Sequence, residues 1–128
     1  MTLRVLDFAD GFTSSIAPSS GGIVVTSDNQ NITSGGTITP NVAGIQALKL
    51  TGSPGAVTTS TTPFSSAPGD GTIIILTGQD NTNTVTVPHS DEDGGCILNG
   101  DANLGENDQL TLYYELSTLR YKEITRNF

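Results

Sequence analysis

Gly71-Thr-Ile-Ile-Ile-Leu-Thr-Gly78, Asn83-Thr-Val-Thr-Val87, Cys96-Ile-Leu-Asn-Gly100, Leu110-Thr-Leu-Tyr-Tyr-Glu115 and Arg120-Tyr-Lys-Glu-Ile-Thr-Arg126 follow one another through the back half of the chain. Each run is short, rich in β-branched or aromatic side chains, and bounded by Gly, Asn, Asp or Ser, residues that turn a chain cheaply. The stretch predicts successive short strands. Leu110, Leu112 and Tyr114 alternate with Thr111, Tyr113 and Glu115, so one set faces a core and the other an outer surface. Ile73 to Leu76 is continuously apolar, as expected of a strand covered on both faces, by a second sheet or by a neighbouring subunit.

Composition points the same way. The 128 residues fit one domain, and 34% hydrophobic residues make its core thin. Fifteen Gly, six Pro and abundant Ser, Thr and Asn leave little material for amphipathic helices. The fold class expected is all-β, a small antiparallel β-sandwich of jelly-roll-like order, with an extended N-terminal arm over residues 1–20 and the sandwich over 21–128.

Charge narrows the partners. A net charge of −8 repels a phosphate backbone, so no nucleic-acid partner is expected. Residues 1–69 hold three acids and two bases, whereas residues 70–128 hold ten acids and three bases, which places the acidic half toward solvent. The single cysteine, Cys96, stands inside an apolar run and suits a small core residue. No basic-then-apolar leader and no apolar run of about 20 residues is present, so the chain is expected to be made in the cytoplasm with no membrane partner.

In the front half, Leu3, Val5, Phe8 and Phe12 are spread among acids and small residues without a clean period. They fit an attachment arm whose apolar side chains insert into another protein; Leu3 to Leu6 docking as an edge strand is the alternative. Ser19 to Gly22 is a hinge by composition, Ile23 to Thr26 a first strand, and Asp28-Asn-Gln-Asn31 a turn. Gly35-Gly36 suits a hairpin between Ile32-Thr33 and Thr37-Thr39, Ile45 to Leu50 a strand, and Val57 to Thr62 a hydroxyl-rich strand. Pro63-Phe64 bends the chain and offers one large apolar anchor.

Catalytic chemistry is sparse. His89 lies in a turn-like stretch, and a Ser90-His89-Asp91 triad built from sequence neighbours lacks the glycines that frame a nucleophile. Asp91, Glu92, Asp93, Asp101, Glu106 and Asp108 offer oxygen ligands for a hard cation, but without the spacing of a calcium loop they read as a solvated charged face. Phosphate-binding loops are missing from the sequence. Tyr113, Tyr114 and Tyr121 pack sheet faces in one reading and form a sugar-stacking platform in another. No enzyme, no cofactor and no metal site is expected.

Ala47-Leu-Lys-Leu-Thr-Gly-Ser53, Pro63-Phe64, Gly71 to Gly78 followed by Asn83-Thr-Val85, Cys96 to Gly100, Leu110-Thr-Leu-Tyr-Tyr114 and Tyr121-Lys-Glu-Ile-Thr-Arg126 come in a characteristic order. In that order and phrasing, the chain from Ile45 to Arg126 resembles a β-rich module that recurs in tailed-bacteriophage virion proteins, including capsid decoration proteins, head fibres and tail-fibre pieces. Arg4-Val-Leu-Asp-Phe-Ala-Asp-Gly-Phe-Thr-Ser-Ser15 is similar to the lead-in that joins such modules to a virion surface. The chain departs from the module in carrying Tyr121 where a Trp is often found, and its short Arg126-Asn-Phe128 end implies no longer fibre shaft.

The resemblance implies a virion structural protein that decorates a capsid or forms a head fibre, touching other capsid or tail proteins through Leu3, Val5, Phe8 and Phe12. A thin core also favours a homotrimer, because each Å² of apolar surface buried between subunits is worth roughly 25 cal/mol. The rival expectation is a lectin-like host-recognition module of a tail fibre, with Tyr113, Asp91, Asp93 and Asp101 contacting a glycan.

Overall fold

A computed structural model describes residues 26–41 and 44–128. Among the described residues nine strands run in chain order: β1 Thr26–Ile32, β2 Ile45–Gly52, β3 Val57–Thr58, β4 Ile73–Gly78, β5 Val85–Val87, β6 Cys96–Ile97, β7 Ala102–Leu104, β8 Gln109–Glu115 and β9 Arg120–Asn127. No helix occurs among the described residues, so none there is long and apolar enough to cross a membrane. The described residues are all-β and form two sheets. One has six strands in the order β1-β2-β4-β8-β9-β6, the other three in the order β3-β5-β7.

Strand directions correct the expectation of a wholly antiparallel, jelly-roll-like order. β4–β8, β5–β7 and β8–β9 pair antiparallel, but β1–β2, β2–β4, β3–β5 and β6–β9 pair parallel. The long connections over residues 33–44 and 53–72 permit this, since a chain must travel away and return before it can lie parallel to its predecessor. The chain therefore winds in stacked turns. β2 lies on β1 and β4 on β2, Ile38 forms a parallel bridge with Phe64, and the Gly35 amide donates to the Thr58 carbonyl at 2.8 Å.

β1 is a second correction. Asp28-Asn-Gln-Asn31, expected as a turn, lies within the strand and pairs residue for residue with Leu48 to Thr51. Its polar side chains suit an edge, where they oppose unwanted pairing, and Gln30 binds the Thr39 backbone through both its amide groups, at 2.7 and 2.8 Å. Gly35-Gly36 does turn the chain, with φ 69° at Gly35 and the Gly36 amide on the Thr33 carbonyl. Its arms do not pair as a hairpin, because Ile38 bridges to Phe64 instead. Val57 to Thr62 contributes only the two-residue β3.

One core serves both sheets. Ile32, Leu48, Leu50, Ile74, Leu76, Leu110, Leu112, Tyr114 and Tyr121 meet Val57, Val85, Val87, Ala102 and Leu104 from the smaller sheet. Leu110, Leu112 and Tyr114 are the inward set, as their alternation requires. Phe64 is the anchor expected: its ring stacks on Tyr121 with centroids 4.2 Å apart, and Tyr121 meets Tyr114 at 4.8 Å. Cys96 is fully buried, and burial pushes its thiol up to about 12, which keeps it unreactive.

Candidate interaction face

The six-stranded sheet turns its other face outward, and register fixes what stands there. Ile45 lies opposite Ile73, Ile73 opposite Tyr113, Tyr113 opposite Lys122, and Lys122 opposite Ile97. All five are half-buried. The next row reads Ser27, Ala47, Ile75, Thr111 and Thr125, and the third Asn29, Lys49, Thr77, Gln109 and Asn127. The face grades from apolar to polar across three rows. Adjacent rows are two residues apart, so all their side chains leave the sheet on one side.

The continuously apolar run at Ile73 to Leu76 is thus divided. Ile74 and Leu76 are fully buried in the core, while Ile73 and Ile75 sit half-buried on the outer face. A β-bulge where β8 passes from Thr111 to Leu112 lets β9 carry one extra residue, Ile124, which is 52% exposed.

Charged groups gather at the margin of this face. Lys122 pairs with Glu115 at 3.0 Å, and that ammonium, with the Thr118 hydroxyl, holds the Glu115 carboxyl below its ordinary range. Arg120 donates from Nε to the Asp91 carbonyl at 2.6 Å and reaches Asp93 at 3.5 Å, tying the loop after β5 to the β8–β9 turn. On the other side of β9, where Glu123 and Arg126 stand opposite the inward Leu112 and Leu110, Arg126 grips Glu123 through two bonds of 2.7 and 2.9 Å, and Glu123 also accepts the Asn99 amide at 2.8 Å. The guanidinium holds the Glu123 carboxyl below the ordinary glutamate value, and Glu123 in turn raises Arg126.

The acidic loops are engaged locally. Asp80 accepts from the Thr82 and Asn83 amides and the Asn83 side chain, bonds that hold its carboxyl low. Asp101 accepts the His89 amide at 2.9 Å, Asp108 accepts the Gly105 amide at 2.8 Å, and Glu92 accepts the Ser90 hydroxyl at 3.1 Å. Among the described residues, no three His, Cys, Asp or Glu side chains converge to hold a metal ion. Ser90, His89 and Asp91 do not assemble as a triad. His89 Nδ1 accepts the Leu98 amide at 3.0 Å, its Nε2 lies 3.5 Å from Asp91, and Ser90 turns to Glu92 instead.

The attachment residues Leu3, Val5, Phe8 and Phe12 lie outside the described residues, as does the arm over residues 1–20. Of the sugar-platform residues, Tyr114 and Tyr121 are buried, and Tyr113 alone reaches the outer face. Asp91 and Asp93 flank the Arg120 clasp, and Asp101 serves the His89 backbone. The alternation put Tyr113 on an outer face; the Ile73 run, expected to be covered on both faces, instead leaves Ile73 and Ile75 half-buried on the outside, and the row with Ile45, Lys122 and Ile97 was missed. Only the pairing order could have shown it.

No family model matches the chain, and neither curated proteins nor solved structures give a match.

Proposed function

We propose that this chain is a non-enzymatic structural protein of a tailed-phage particle, a trimeric capsid decoration or head-fibre protein. In this reading its two sheets form a small β-sandwich body, and residues 1–20 bind the particle through Leu3, Val5, Phe8 and Phe12. The observation that carries the reading is the outer face of the large sheet, where Ile45, Ile73, Ile75, Tyr113 and Ile97 stand in register and part-exposed. A 13.3 kDa chain with a thin core gains stability by burying such a face against like subunits. The order of motifs from Ile45 to Arg126, which resembles virion modules, adds to it.

The mechanism is binding alone. The body would bridge or cap neighbouring lattice subunits, with the arm supplying buried apolar contacts and the acidic loops facing solvent. Deleting residues 2–16 is expected to leave the β-sheet circular dichroism and melting temperature of the body unchanged while abolishing co-sedimentation with particles. Full occupancy of particles by the truncated chain would refute the arm as the anchor.

A further inference from the structure

We propose that Asn99 is a site of self-modification, where the side-chain amide becomes an acid through a cyclic imide closed by the backbone nitrogen of Gly100. Of the chain's asparagines, Asn99 alone is followed by glycine. Ring closure brings the next residue's nitrogen onto the asparagine Cγ, and a Cβ on that residue obstructs the approach. Glycine has none. The attack is intramolecular, so it needs no enzyme and only water as co-reactant.

The fold leaves the reacting groups open. Both residues are exposed in the loop from β6 to β7. Gly100 sits at φ 86°, where glycine is unstrained, and a methyl group there would meet nothing within 4 Å. The Gly100 N–H, the Asn99 carbonyl and the Asn99 side-chain amide have no hydrogen-bond partner among the described residues. A nitrogen held in a strand ladder must give up a bond before it attacks; this one has none to give up. The flanking groups are held instead. The Asn99 N–H donates to Glu123 Oε1 at 2.8 Å, and the Gly100 carbonyl accepts from Arg126 at 3.0 Å, so β9 grips the loop on either side of the reacting peptide bond.

Hydroxide takes the Gly100 amide proton and the nitrogen bonds to Asn99 Cγ. The side-chain nitrogen leaves as ammonia, taking a proton from water and regenerating the hydroxide. Water then adds across one of the two imide C–N bonds, giving aspartate at position 99 or isoaspartate, whose backbone runs through the side-chain carbon. Either product adds one negative charge to the −8 of the chain, on the residue that Glu123 already holds. Isoaspartate also lengthens the backbone between the groups that Glu123 and Arg126 bind, so the two grips cannot both survive and the loop loosens from β9.

The test keeps the full-length folded protein in mildly alkaline buffer at physiological temperature and follows its peptides by mass spectrometry. Conversion at Asn99 is expected to run roughly tenfold or more faster than at Asn83 and Asn103, where the Cβ of Thr84 or Leu104 displaces the attacking nitrogen. Both acid isomers should appear, at a rate that rises with pH, and Asn99→Gln, which must close a larger ring, should stay intact. Aged protein should melt below Asn99→Asp, which adds the charge without the extra backbone atom. Conversion no faster than at Asn83 and Asn103 would overturn the site. So would an Asn99 that stays intact in the folded protein while it converts in guanidinium, because Glu123 and Arg126 would then be protecting the bond they flank. Equal melting of aged protein and Asn99→Asp would overturn the loosening from β9.

Discussion

Gly52 and Gly78 end β2 and β4 on their inward side, where the loops of the smaller sheet cross. A methyl group at Gly78 would run into the Gly105 carbonyl oxygen and lie 2.7 Å from the Leu104 carbonyl carbon; at Gly52 it would meet the Gly55 carbonyl and lie 2.8 Å from that of Thr84. Backbone atoms cannot rotate away as a side chain can. Gly78→Ala is therefore expected to cost about 1–3 kcal/mol in urea unfolding, the range for overpacking, and an unchanged midpoint would show that the two sheets are not held so closely. Phe64→Ala, which removes the ring stacked on Tyr121, is expected to cost about 3–5 kcal/mol. Some of this was legible: Cys96 as core and Phe64 as anchor follow from an apolar run and from a lone large ring beside a proline. The tightness at Gly52 and Gly78 was not, since a glycine after a strand reads equally well as a turn.

At the scale of elements, β8 was the most legible, because Leu110, Leu112 and Tyr114 alternate without interruption and a half-buried strand needs nothing else. β1 was the least. Asp28 to Asn31 has turn chemistry, and only the parallel ladder to β2, formed across a distant stretch of chain, makes it extended. Strand direction was equally hidden, since an alternating pattern is the same read either way. β9 carries a testable electrostatic feature. The Glu123 carboxyl is held below its ordinary value of 4.5 by Arg126, so it loses its proton more readily folded than unfolded. Its contribution to stability is complete above the unfolded value and disappears as pH falls below about 4.5 through the lowered folded value. Glu123→Gln should lower stability at pH 7 and make the fall in melting temperature below pH 4.5 shallower. A parallel decline in both proteins would mean that the pair with Arg126 adds nothing that titrates.

For the whole molecule, the proposed function would set a two-sheet body in an assembly of like copies that meet through the outer face of the large sheet. Tyr113 was legible as outward-facing, whereas the Ile73 run was expected to be covered on both faces; the row they share with Ile45, Lys122 and Ile97 depends on which strands neighbour which, a long-range property no local pattern encodes. Wider assembly should also govern stability: if the contact is apolar at its centre, the melting temperature rises with protein concentration, as it does whenever association favours the folded chain. The native mass of the unaltered full-length protein in dilute, moderately salted buffer tests the assignment most directly. Three times the 13.3 kDa of one chain is the expected result, and a single-chain mass at every concentration would contradict it.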